Sequence, residues 1–274
     1  MKTIANVMLV LDEAEFIEAA IDSILLGCDQ IIVIDQGSTD GTQDILEYFQ
    51  HYCSNKVTWV SSRSQTFLTR GEQFFRNLAL DLVFCDVAMV TDGDEILGDN
   101  WWVKVREAFE NPTVGAVTGN YWQLCGTSDF CTPDSPLKPE HGLRPFFFRK
   151  CDTLRVGDAM QGTKCHTAYV GIKPKEIAVL PDLDIFHMGY AKSDLTARFT
   201  RNITRGDWTA CRQNEEALKA EFLKAAKEEP LNMLTECVPV PADVHARMPA
   251  SIREPKFRCD YNPATRRITA RHPL

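Results

Sequence analysis

The sequence predicts an α/β fold built on a parallel sheet, and two observations carry that prediction. From residue 4 to residue 92, short β-branched runs alternate with stretches whose apolar residues recur at helical spacing. Two of those runs, "IIVID" and "DVAMVTD", end on an aspartate with a glycine close behind. Such alternation implies helices on both faces of a parallel sheet. Right-handed crossovers then bring the C-terminal ends of the strands to one edge, where ligands bind in sheets of this kind. Leu11, Asp35 and Asp92 are therefore expected on one rim.

Taken in order, residues 4–11 read as a strand. The stretch 13–26, "EAEFIEAAIDSILL", sets Phe16, Ile17, Ala20, Ile21, Ile24 and Leu25 at helical spacing, and Gly27 is expected to end that helix. Residues 31–35 are the second strand. Asp40 with Gln43 three positions on resembles a capping box, opening a helix that runs to about Tyr52. "KVTWV" is a third strand, "GEQFFRNLALDLV" a third helix and "DVAMVT" a fourth strand, which ends in "DGDE". After residue 112 the alternation stops. "VGAVTGNYWQL" and "LRPFFFRK" read as strands of a mixed or antiparallel portion, and residues 126–142, with three prolines, as a loop. "EIAVLPDLDIFHMGY" is strand-like. Residues 192–206 and 212–228 read as helices, the second with Glu215 and Lys219 as an i,i+4 pair. The final forty-odd residues contain six prolines and read as an irregular wrap.

The bulk properties set bounds. A chain of 274 residues that is 44% hydrophobic has enough apolar mass for one large α/β domain, or for one domain plus a smaller appendage. No apolar run reaches the length that spans a bilayer. The opening "MKTIANVMLVLDEAEF" lacks a small-residue cleavage site and meets Asp12 and Glu13, so it reads as a strand and not as a secretion signal. Ten cysteines are scattered with no Cys-x-x-Cys pair, which argues against a zinc knuckle. Several, Cys85 among them, sit in apolar runs, as reduced cytosolic thiols do, and a cytoplasmic location is expected. A net charge of −8 disfavours wide contact with nucleic acid. Residues 251–274 nevertheless carry six basic side chains against two acidic ones. That tail suits peripheral contact with anionic lipid or a phosphorylated acceptor, and equally a return onto the acidic body.

The stretch "TDGDEIL", residues 91–97, has two acids two positions apart just beyond a strand, where they can face the same way. Gly93 removes a side chain where a ligand would come close. Such a carboxylate can hold Mg²⁺ or Mn²⁺, which complete their shells with substrate phosphate and water. Asp-Gly-Asp is also good chemistry for a plain β-turn; Asp35 on the same rim moves the balance towards a site. His187, before Gly189 at a strand end, is either a metal ligand or a satisfied polar group. Arg76 is either a partner for a rim acid or a phosphate, or a surface residue of an amphipathic helix. "DQGST" lacks the second acid of an aspartyl-phosphate phosphatase, and "LVLDEAEF" lacks the glycines of a dinucleotide-binding turn.

The stretch "NVMLVLDEAEFIEAAIDSILLGCDQIIVIDQGSTDGTQDIL" strongly resembles the start of family 2 glycosyltransferases. "FFRNLAL" is similar to that family's Arg-Asn helix and "VTDGDEIL" to its Asp-x-Asp motif. "FHMGYAKSDLTARFTRN" is similar to the His-x-Gly-Tyr segment of members that build bacterial surface polysaccharides and lipopolysaccharide core. The resemblance covers residues 4–97 closely and 144–206 loosely. It implies the GT-A fold, a Rossmann-like nucleotide-diphospho-sugar transferase with a mixed central sheet and C-terminal helices. Residues 1–206 would form the catalytic domain, with a nucleotide-sugar half at 1–111 and an acceptor-side half at 112–206. Residues 207–274 would form a C-terminal helix and an irregular extension. The resemblance further implies that Asp35 binds the base of a UDP-sugar and that Leu11 and Glu13 line the nucleoside pocket. Asp92 would face the donor ribose or the metal, Gly93 the donor, Arg76 the donor or the rim acids, and Asp94 and His187 would hold Mn²⁺ or Mg²⁺.

There are two departures. Asp12 stands where relatives commonly have Asn, and the region "LRVGDAMQGTKCHTAY" lacks the His-Glu pair found downstream in many of them. An inverting transfer needs a base for the acceptor hydroxyl, and the candidates here are Asp158 and then His166. The acceptor is expected to be a saccharide or glycolipid; a protein side chain or a modified DNA base stays open. The departures also motivate a second reading, a nucleotide-sugar-binding partner protein with a decayed active site.

Overall fold

The computed structural model describes residues 1–62, 64–137, 146–158, 167–170, 176–205, 216–234, 236–254 and 257–273. The chain runs through β1 (Ile4–Val10), α1 (Ile17–Leu25), β2 (Gln30–Asp35), α2 (Thr42–Tyr52), β3 (Val57–Ser61), α3 (Ser64–Asp81), β4 (Val87–Asp92) and β5 (Glu95–Leu97). It continues through α4 (Trp101–Glu110), β6 (Ala116–Cys125), β7 (Thr127–Cys131), β8 (Phe147–Arg149), β9 (Arg155–Asp158), β10 (Thr167–Val170) and β11 (Ile177–Tyr190). Then come α5 (Leu195–Arg205), α6 (Glu216–Glu228), β12 (Val238–Pro239), α7 (Ala242–Arg247), α8 (Ala250–Arg253), β13 (Phe257–Asn262) and β14 (Arg267–Pro273). Two compact units result: Met1–Tyr121 with Pro136–Phe186, and Trp122–Ser135 with His187–Leu274.

In the first unit β4, β1, β2 and β3 lie side by side and parallel. Their strands are buried almost throughout in β1, β2 and β4, which is why those segments read as continuous apolar runs and not as alternating ones. Ala5, Val7, Leu9, Ile32, Ile34, Ala88 and Val90 share a core cluster with Phe75, Ala79 and Leu80 of α3. The period of two along each strand puts those positions on one face. β8 pairs antiparallel to β4, and β6 antiparallel to β8, so the sheet is mixed as expected.

The end of α1 differs from expectation. Gly27 is not among the left-handed glycines of the described residues, which are Gly37, Gly41 and Gly126, and the helix is followed by Leu26 in helical conformation. Gly27 is small for another reason: a Cβ there would stand 2.6 Å from the Trp101 ring. Trp101 in turn donates its indole N–H to Ser23 O at 2.9 Å. β5 and α4 were not assigned from the sequence, although Trp101, Val105 and Phe109 recur at helical spacing and are the buried residues of α4, which opens after Asn100 at φ 59°.

The second unit has its own core. Leu195, Phe199 and Ile203 of α5, at helical spacing, meet Ala226 of α6, Leu234, Cys237, Cys125 and Ile268. That packing groups residues 187–205 with the C-terminal region, so the units interleave in sequence where a linear boundary at 206 was expected. Residues 127–131, expected in a loop, form β7, which pairs with the end of β6 and with β12. The expected irregular wrap contains an antiparallel hairpin, β13–β14. Its turn is built on Asn262, whose Oδ1 accepts the N–H groups of Ala264 and Thr265 at 3.0 and 3.3 Å. Prolines on either side hid these short polar strands. Lys219 lies on α6, while Glu215, its expected partner, lies outside the described residues. No helix among the described residues is long and apolar enough to cross a membrane.

Candidate active site

The C-terminal ends of the parallel strands bring the first-unit candidates together. In the strand register Val10 stands beside Asp35, and Leu9 beside Asp92. Leu11, Asp35 and Asp92 thus share a rim, although they are widely separated in the chain.

Two loops on that rim are stitched to each other. Asp12 donates its N–H to Ser38 Oγ at 2.9 Å and accepts the Thr39 N–H on Oδ1 at 2.9 Å. Glu13, 5% exposed, donates its N–H to Thr42 Oγ1 at 2.8 Å. Ala14 N–H goes to Asp40 Oδ2 at 3.0 Å, and Gln36 N–H to Val10 O at 2.9 Å. Asp40 also accepts from Thr42 N and Thr42 Oγ1. Burial works to raise the Asp40 pKa, but the hydrogen bonds from Thr42 and Ala14 overcome it and hold the carboxyl below its ordinary value. The expected capping box does not form. Gln43 turns instead to Asp35, placing Nε2 2.6 Å from Oδ2, and α2 starts after Gly41 at φ 99°.

Asp35 is fully buried and anchors the second loop. Its carboxylate accepts from Gly37 N, Ser38 N, Ser38 Oγ, Gln43 Nε2 and Ser61 Oγ. A carboxylate offers about four lone-pair sites. Direct hydrogen bonding to a pyrimidine, expected at Asp35, would therefore compete with donors from the protein itself.

The third rim segment is the turn between β4 and β5. Arg76, 1% exposed, spans from Glu72 Oε1 at 2.6 Å to the carboxylate of Asp92, and places Nη1 3.4 Å from Thr91 O. Of the two readings of Arg76, the buried partner of a rim acid is the one observed. Gly93 also has a different reason from the expected one. A Cβ there would stand 2.7 Å from Val10 Cγ1 and 3.1 Å from Glu13 Cγ, so protein and not ligand takes the space. Asp94 is 3% exposed at the tip of this turn. Glu95, which the sequence reading passed over, is 2% exposed and accepts the Asp92 N–H at 2.9 Å. The i,i+4 spacing of Glu72 and Arg76 was readable in the sequence. The contributions of Ser38, Ser61 and Glu95 depend on loop geometry that no local pattern encodes.

His187 belongs to the second unit. Its ring lies edge-on to Tyr190, and a Cβ on Gly189 would stand 2.7 Å from the imidazole and 2.5 Å from the Arg198 guanidinium. A side chain at Gly189 would thus oblige the imidazole or the guanidinium to shift. Of the base candidates, Asp158 closes β9 opposite Thr167 of β10. The side chain of Asp158 and all of His166 lie outside the described residues.

A family model, glycosyl transferase family 2, matches residues 7–160. The chain belongs to that family. Among solved structures, this family 2 chain is similar to S. aureus TarS 1–349 in complex with UDP-GlcNAc, at 13% identity and a TM-score of 0.49, over 84% of this chain and 73% of that one. It is also similar to the longer S. aureus TarS, at 13% identity and a TM-score of 0.47, over 84% of this chain and 44% of that one. The third is glucosyl-3-phosphoglycerate synthase from Mycobacterium tuberculosis in complex with Mn²⁺, UDP and glucosyl-3-phosphoglycerate. It is 26% identical, with a TM-score of 0.34, over 44% of each chain. The chain thus spans less than half the length of two of these three relatives. No curated protein matches the sequence.

The donor chemistry of the rim fits a hard divalent cation. Among the described residues no group of three or more His, Cys, Asp or Glu side chains gathers, so they form no all-protein cage of the kind zinc takes. Mg²⁺ and Mn²⁺ are commonly held by one or two carboxylates, with substrate phosphates and water completing the shell. Asp94 and Asp92, two positions apart in the acid turn, carry carboxylates of that chemical class, the Asp92 carboxylate being engaged by Arg76.

Proposed function

We propose that this family 2 chain transfers a sugar from a nucleotide-diphosphate donor, a UDP-sugar, to an acceptor hydroxyl on a saccharide or glycolipid, with inversion and with the help of Mn²⁺ or Mg²⁺. The observation that carries the reading is the first-unit rim. There, the segments after two parallel strands are hydrogen-bonded to each other, and the buried acid turn after a third packs its Gly93 against Val10 and Glu13. Leu11, Glu13 and the loop anchored by Asp35 line the nucleoside side. Asp35 acts there by shaping the loop from Gln36 to Asp40. Asp94 holds the cation. His187 as a further ligand rests on the resemblance alone. When bound, the cation neutralises charge on the leaving diphosphate. Asp158, with His166 as the second candidate, takes the proton of the acceptor hydroxyl, a role that typically contributes about 10²–10⁴-fold to the rate.

The test is a calorimetric titration of UDP with and without Mn²⁺, paired with sugar release from a panel of UDP-sugars. The wild-type chain should bind UDP more tightly with Mn²⁺, and Asp94→Asn should abolish that gain. Asp158→Ala should slow turnover about 10²–10⁴-fold with UDP affinity unchanged. Absence of UDP binding in either condition would refute the donor assignment. UDP binding without sugar release to water or acceptor would instead make the chain a nucleotide-sugar-binding partner protein.

A further inference from the structure

The turn that presents Asp94 is held by a residue that is given no part in the transfer itself. Glu95 is the first residue of β5 and is 2% exposed. A buried carboxylate is costly unless it is hydrogen-bonded. Glu95 Oε2 accepts the N–H of Asp92 at 2.9 Å, so the side chain reaches back across Gly93 and Asp94 and closes the turn. Glu95 Oε1 accepts the hydroxyl of Tyr121 at 3.0 Å. Tyr121 is itself fixed. Its ring stacks on Phe146, with centroids 5.5 Å apart and 18° between planes, and its carbonyl accepts the Leu137 N–H at 2.8 Å.

The same turn is constrained on two other sides. Arg76 grips the Asp92 carboxylate, and Gly93 abuts Val10 and Glu13. Asp92 is therefore held by its side chain through Arg76 and by its backbone through Glu95. Deleting the Glu95 contact would free only the backbone side, the side that continues into Gly93 and Asp94. A ligand that must meet a cation and a diphosphate together needs its supporting groups locked to within roughly 0.5 Å.

We propose that Glu95 is a positioning residue: with Tyr121 behind it, it fixes the Asp92–Asp94 turn in the geometry in which Asp94 engages the cation. The inference rests on the metal-dependent transferase reading above. Partners of this kind, one step removed from a metal, typically change metal affinity by about 10–100-fold when removed.

The experiment compares UDP affinity with and without Mn²⁺ in wild type, Tyr121→Phe, Glu95→Gln and Glu95→Ala, with melting temperatures recorded alongside. Tyr121→Phe keeps the ring stack and removes only the hydroxyl. Glu95→Gln keeps an oxygen for the Asp92 N–H. The expected result is a loss of about 10-fold or more in the Mn²⁺-dependent gain in Tyr121→Phe and Glu95→Ala, with metal-free UDP affinity at the wild-type value. Glu95→Gln should recover most of the gain. A Tyr121→Phe variant whose Mn²⁺ gain equals wild type, whatever its melting temperature, makes Glu95 purely architectural and overturns the inference. A wild-type chain that binds UDP with no Mn²⁺ gain overturns the metal-dependent reading beneath it, which is a separate and distinguishable failure.

Discussion

Asp12 is the residue whose chemistry changed most between sequence and structure. As a departure from the usual Asn it reads as an added charge near a diphosphate. In the fold it sits at φ 53°, the left-handed region, and its Oδ1 accepts the Thr39 N–H. Asn and Asp are the non-glycine residues that tolerate that conformation best, and both carry the needed oxygen. The position therefore asks for a short side chain with a carbonyl-type acceptor, and either residue answers. Asp12→Asn should leave the melting temperature unchanged. Asp12→Val should cost about 1–3 kcal/mol, since a β-branched side chain is strained there and the Thr39 N–H loses its acceptor. Equal melting temperatures for the two variants would remove the conformational explanation. Asp35 makes a related point. An acid at the end of a buried strand pointed to the strand-end rim, but sequence could not show that donors from Gly37, Ser38, Gln43 and Ser61 converge on the carboxylate.

At the level of elements, the first four strands and three helices were legible because each has one dominant pattern. Buried parallel strands are continuous apolar runs, and α1 buries Ile17, Ala20, Ile21 and Ile24 at helical spacing. The rest was not legible, for specific reasons. β7 is five residues long and β12 only two, and their pairing is set by partners far away in sequence. The hairpin β13–β14 is polar on most positions and buries Ile268. Arg76 had two readings because helical spacing gives a direction only relative to neighbours, and the burial of its neighbours Phe75, Ala79 and Leu80 shows which face of α3 packs on the sheet. Gly27 was read as a helix stop, whereas tertiary packing explains it. It admits Trp101 of α4, so an α1–α4 contact and not a local conformation selects glycine. Gly27→Ala should therefore destabilise by about 1–3 kcal/mol through overpacking against the indole. Trp101→Leu in the same background should reduce that penalty. Gly27→Ala with wild-type thermal stability would show that the indole can move aside freely.

Across the whole molecule, function is expected from the rim of the first unit. The amides of Asp12, Glu13, Ala14 and Thr39 donate to side chains across the first two segments, while those of Ser38 and Asp92 close their own turns on Asp35 and Glu95, and the acid turn meets the first segment where Gly93 packs on Val10 and Glu13. A ligand that binds only the closed rim raises the free energy of its opening by mass action, and amide exchange reports such opening segment by segment. With UDP and Mn²⁺, hydrogen exchange should slow in peptides covering residues 10–14, 36–42 and 91–95 together. Asp94→Asn should remove the Mn²⁺-dependent part of that protection in all three, because the acid turn packs on the first segment and the first is hydrogen-bonded to the second. Slowing at 36–42 alone would mean that the nucleoside loop binds without engaging the acid turn. Protection confined to residues 187–205 would move the site away from the rim altogether and leave the buried acid turn as an element of architecture.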